Sequence, residues 1–142
     1  MYKYTQSGDI YVVSIANHSD LTAALTAFCE EQRILSGKID GIGAVSSATL
    51  RFYDPTTKKY VDRTFEEQME IAALVGNISE KEGKVYLHLH ATLGRSDYTS
   101  IAGHLLTAQI HGACELFIRR LHCPLGREYD PETSLQLYVF QS

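Results

Sequence analysis

The chain has 142 residues, 44% of them hydrophobic and 21% charged, with ten Gly and three Pro, and this excludes a fibrous or disordered polymer. It suits a single domain, residues 1–142, able to bury a core without covalent staples. A net charge of -4, with a pI near 5.8, provides no general positive field for a phosphate backbone.

The segment opening the chain, "MYKYTQSGDIYVV", has neither a charged start nor a long apolar run of the kind that directs secretion. Cys29, Cys114 and Cys123 are odd in number and irregular in spacing, so a reducing cytoplasmic setting is expected rather than a disulfide framework. No apolar run reaches the ~18 residues of a spanning helix, and no membrane association is expected.

In chain order, "YKYTQ" and "IYVVSIA" read as two strands separated by a Ser-Gly-Asp turn. The run from His18 to Gly37 then predicts the main helix, over about residues 20–35. Leu21, Ala24, Leu25, Phe28 and Leu35 fall at helical spacing, Ser19 or Asp20 is available as a cap, and Gly37 provides a stop. After it, "KIDGIGAVSSATLRFYD", "KKYVDRTFE", "MEIAALVGNIS", "KVYLHLHATL" and "SLQLYVF" read as strands, with "DPTT", "SEKEG" and "GREYDPETS" as connections. The run "GHLLTAQIHGACELFIRRL" fits both a helix and a strand, and periodicity alone leaves it open. One early helix and many strands give an α+β class, with a largely antiparallel, curved sheet packed on the helix.

"GIGAV", residues 41–45, begins like a dinucleotide fingerprint but leads into a strand instead of a helix, so nucleotide binding there is rejected. Gly41 and Gly43 instead suit a bulge or a close backbone approach.

The chemistry concentrates in "VYLHLHATLGRSDYTSIAGHL". On a strand, residues two apart share a face, so His88 and His90 converge, while Leu87, Leu89 and Ala91 face the core. His104, preceded by Gly103, supplies a third imidazole; three such ligands suit a divalent transition metal, zinc first. The dull alternative is a polar groove or a hydrogen-bonded interface. Further candidate ligands are His111, Cys114 and Glu70, and Glu70 or Asp97 is the available general base. Arg95, Asp97 and Tyr98 form a loop between the histidines. His18 is expected to face solvent, and His122-Cys123 to lie in a loop. No nucleophile elbow, phosphate loop or His-Glu-x-x-His is present, so no catalytic residues are assigned.

Together "GIGAVSSATLRFYD", "MEIAALVGNIS", "HLHATL" and "GHLLTAQIHGACELFI" resemble the PPC (plants and prokaryotes conserved) domain family over nearly the whole chain. The resemblance implies an α+β fold, a homotrimer, and an extended conformation for "TAQIHGACELFI". It points to the stand-alone bacterial form, whose members carry a DNA-binding label; the Arg-Gly-Arg-Pro core of an AT-hook is absent, and Gln68 replaces the arginine of the plant-type block at residues 67–71. Three functions follow as expectations: a homotrimeric assembly module with a His88, His90, His104 site for a metal or small ligand; a regulator acting directly on DNA, which the net charge does not support; and a metal-dependent enzyme of unknown substrate.

Overall fold

The computed structural model describes residues 1–140. Its elements are β1 (Tyr2–Ser7), β2 (Ile10–Ile15), α1 (Leu21–Glu31), β3 (Gly37–Asp54), β4 (Lys59–Phe65), β5 (Met69–Lys81), β6 (Lys84–Gly94), β7 (Ser100–Arg120), β8 (Gly126–Asp130) and β9 (Leu135–Val139). The expected single helix on a largely antiparallel sheet is present, and strand dominates it. The helix is shorter than 20–35. Asp20 caps its start, its carboxylate accepting from Ala23 N at 2.7 Å and from Thr22 Oγ1 at 2.9 Å.

Its end comes at Glu31, well before Gly37. Arg33 takes a left-handed conformation with φ 54°, Arg33 N donates to Glu30 O at 3.1 Å, and Ile34 N donates to Cys29 O at 2.8 Å. This paired closure usually uses glycine at the left-handed position, so arginine there hides the stop. Ile34, fully buried, therefore takes the packing position assigned to Leu35, which is 39% exposed.

The ambiguous run is extended, part of the 21-residue β7. β7 pairs with β2, β3 and β6; β3 also pairs with β5, and β5 with β6, so β3, β5, β6 and β7 close a ring of antiparallel pairs. Long strands manage this by bending at bulges, and the β3–β5 register shifts between Gly41 and Gly43. A Cβ on Gly41 would stand 2.6 Å from Glu115 O, and one on Gly43 2.5 Å from Ala113 O. Both glycines thus serve the close approach expected of them.

"GREYDPETS" is not merely a connection: Gly126–Asp130 forms β8, hairpinned with β9. Its composition, polar apart from Tyr129, masked it, because its pairing is supplied by β9 and by one parallel bridge, Glu80 to Gly126.

The core lies between α1 and the inner sheet face, with Phe28 edge-on to Tyr2, Tyr4 and Tyr11 at centroid distances of 5.3, 5.2 and 5.6 Å. Cys29 and Cys114 are buried, their thiols pushed up to about 12 by desolvation, so both are inert packing groups. Among the described residues no helix is long and apolar enough to cross a membrane.

Candidate functional site

The antiparallel register of β6 and β7 sets His90 opposite His104. His88, two residues earlier on β6, shares their face by the period of the strand. Leu89 and Ala91 turn inward, 2% and 3% exposed, and Leu87 packs against the core from a half-buried position. The three imidazoles meet: ring centroids are 5.1 Å apart for His88 and His90, 5.1 Å for His88 and His104, and 5.6 Å for His90 and His104.

Each ring offers one nitrogen within 4.8 Å of the other two. Bonds of about 2.0–2.1 Å to a tetrahedral ion place its donors ~3.3–3.4 Å apart. His88 Nε2 and His90 Nε2 stand 3.2 Å apart, so this donor pair already has the separation such an ion requires. Among the described residues no other trio of His, Cys, Asp or Glu converges in this way.

Burial and neighbouring charges keep two of the rings, His88 and His104, in their ligating form. Burial, then the charges of His88, His90 and Arg51, push the His104 imidazole down to about 4, against the opposing pull of Asp62. Burial, His90 and Arg127 lower His88 in the same direction. Both are therefore neutral at pH 7 and carry a free lone pair, as metal binding requires.

The triad sits in the wall of a cavity of ≈ 490 Å³ whose lining also includes Arg51 and Tyr53 of β3, Tyr60 of β4, Tyr86 of β6, and Arg127, Tyr129 and Leu135 of the β8–β9 hairpin. Arg51 is the register partner of His104 and is held by Asp62 through two bonds, 2.7 and 2.9 Å. The Arg127 guanidinium donates to Asn77 Oδ1 at 2.8 Å, Ser79 Oγ at 2.9 Å and Gln136 O at 2.9 Å, and lies over the Tyr138 and Tyr86 rings at 4.1 and 5.1 Å. Since Asn77 is the register partner of His88, one side chain ties the hairpin to the strand beside the triad.

The remaining candidates lie elsewhere. His111 is seven residues beyond His104 on β7, about 23 Å along the strand at ~3.3 Å per residue, and pairs with Gln68: its Nδ1 is 2.7 Å from Gln68 Oε1 and its carbonyl accepts from Gln68 Nε2 at 2.9 Å. Glu70 lines the same opening as His111, a larger one of ≈ 680 Å³ that gathers no ligand trio. Asp97 accepts from Thr99 N and Oγ1 at 3.0 and 2.6 Å and closes its own turn, and Arg95 pairs with Glu67 at 2.7 Å; neither they nor Tyr98 line the histidine cavity.

Gly103 does line it, but a Cβ there would meet only ordinary contacts, Arg51 O at 3.6 Å, so a close approach is not its role. His18 is exposed, its ring 5.5 Å from that of His111, and His122 reaches Asp9 Oδ1 at 2.8 Å. Sequence reasoning missed Arg51, Arg127 and the tyrosines. Tyr86 was within reach, two residues before His88 on the same face; Arg127 carries no local signal.

The model of the Plants and Prokaryotes Conserved (PCC) domain matches residues 2–122. A crystal structure from Bacteroides thetaiotaomicron, named a "putative DNA binding protein", is 52% identical, covering 99% of this chain and 98% of its own with a TM-score of 0.97. A metal-containing protein from Archaeoglobus fulgidus is 33% identical, covering 98% of each chain, TM-score 0.88. A second "putative DNA-binding protein", from Ralstonia eutropha, is 28% identical, covering 98% of this chain and 96% of its own, TM-score 0.90. No curated protein matches the chain.

Proposed function

The chain belongs to the Plants and Prokaryotes Conserved domain family, and from that premise we propose that it is a stand-alone, homotrimeric binding module whose His88, His90 and His104 hold a divalent transition metal, zinc first. The convergence of three imidazole nitrogens within 4.8 Å carries this reading. The donor set is all imidazole, which suits zinc, copper, nickel or iron better than calcium or magnesium. The name of the 33% identical Archaeoglobus protein, metal-containing, agrees with it. Three protein ligands leave a zinc ion one open position, and the cavity leads to it.

Assembly is supported by an apolar patch on central strands. Val75 of β5 and Phe117 of β7 flank Asp40 of β3 in one cross-strand row, 48% and 52% exposed, with Ile42 beside them at 57%. Central strands bearing such side chains call for a covering surface.

Metal analysis of protein purified without an affinity tag tests the site. About one equivalent of zinc per chain is expected, absent from His88→Ala, with a thermal shift on zinc addition to stripped protein. A wild-type protein with neither metal nor shift overturns the metal reading.

The names of the Bacteroides and Ralstonia proteins favour a second reading, direct DNA binding. Its signature is an affinity that falls steeply with salt. A protein of net charge -4 that retains no duplex DNA even at low salt rules it out.

A further inference from the structure

Resting on the metal reading and deepening it, we propose that the histidine cavity takes a small organic anion with a flat apolar body, of the aromatic carboxylate class. Its charge faces Arg127 and the triad, and its ring lies among the tyrosines.

Among the described residues, two guanidiniums and no carboxylate line the cavity. Arg51 is neutralised by its two-pronged pair with Asp62, 2.7 and 2.9 Å. Arg127 is different: none of the ion pairs among the described residues includes it, and its three hydrogen bonds run to neutral acceptors, the Asn77 amide, the Ser79 hydroxyl and the Gln136 carbonyl. Those bonds fix the plane of the guanidinium without cancelling its charge. A fixed, unneutralised guanidinium in a partly enclosed wall favours an anion and offers it charge-assisted hydrogen bonds. A divalent ion on three neutral imidazoles adds charge of the same sign.

Tyr53 of β3, Tyr60 of β4, Tyr86 of β6 and Tyr129 of β8 bring aromatic rings from four strands to one space, with Leu135 beside them. Aromatic walls reward a planar apolar body through stacked or edge-on contacts. A volume of ≈ 490 Å³ is that of a small-molecule site. A bare inorganic anion would leave most of this apolar surface wet.

The probes are benzoate, its uncharged counterpart benzamide, and acetate, titrated calorimetrically into zinc-loaded and chelator-stripped protein. Benzoate is expected to bind at least about tenfold more tightly than either other probe, and Arg127→Gln to abolish its preference over benzamide. In the stripped protein the preference persists at lower affinity. If benzamide matches benzoate on zinc-loaded wild type, or no probe binds by about 10 mM, the ligand assignment falls while the metal site stands. If zinc is not taken up yet stripped protein still prefers benzoate, the metal reading falls and the assignment survives. Loss of both probes in Arg127→Gln reports a displaced hairpin, and the wild-type comparison of benzoate with benzamide then decides.

Discussion

Gly76 of β5 lies against the backbone of His88 on β6 so closely that a Cβ added to it would stand 2.2 Å from the His88 carbonyl oxygen and 2.7 Å from Leu89 Cδ2. The strand that carries His88 and His90 is thus seated on a glycine, with the Leu89 side chain lying over it.

Gly76→Ala is therefore expected to push β6 outward, costing about 1–3 kcal/mol from overpacking. Zinc affinity should fall although all three histidines remain, because the β6 ligands move relative to His104. Denaturant unfolding and zinc titration of one sample check both effects; unchanged zinc affinity would show that the seat does not set the site.

If the triad holds zinc as proposed, His90→Ala removes a ligand outright. Loss of groups that merely orient a ligand costs ~10–100-fold in metal affinity, so a loss of at least about 100-fold is expected here. The fold should survive, since His90 is exposed and Leu89 and Ala91 hold the strand from the other side. Competition with a coloured chelator gives the affinity, and circular dichroism the fold.

Acid should weaken the metal-free protein through the same rings. The folded His104 titrates at about 4, below the ~6.5 of an unfolded histidine, and His88 is shifted the same way. Above pH 6.5 both states are neutral and this contribution is complete. As pH falls through 6.5 towards 4 the unfolded chain binds protons that the folded one refuses, so stability drops. Melting chelator-treated wild type and His104→Asn across pH 7.5 to 4.5 should show a shallower acid slope in the variant; parallel slopes would remove the effect.

Phe28→Ala should cost about 3–5 kcal/mol, because Phe28 is fully buried and three tyrosine rings pack on it edge-on. The histidines lie outside that cluster, so zinc binding by the remaining folded fraction should be unchanged.

Assembly can be read directly. Light scattering should give about 48 kDa, three times the chain mass of 15.9 kDa, and Phe117→Asp should reduce it towards the mass of one chain. A wild-type monomer at micromolar concentration would remove the trimer.

What the sequence determined by itself was whatever depends on neighbours a few residues apart. The helical face of Leu21, Leu25 and Phe28 and the shared face of His88 and His90 follow from periods of 3.6 or 2, which are properties of the backbone, while the choice of Asp20 over Ser19 as the cap came only with the fold. The helix end was not legible, because arginine occupies a position where glycine is the usual sign. The extended state of residues 100–120 and the pairing of His90 with His104 were decided by strands closing on one another, and local periodicity does not encode those partners. Arg127 belongs to the same class. It lines the histidine cavity only because β8, polar and short, is held in place by β9 and by acceptors some fifty residues earlier in the chain, and a contact made across that separation exists only once the sheet has formed.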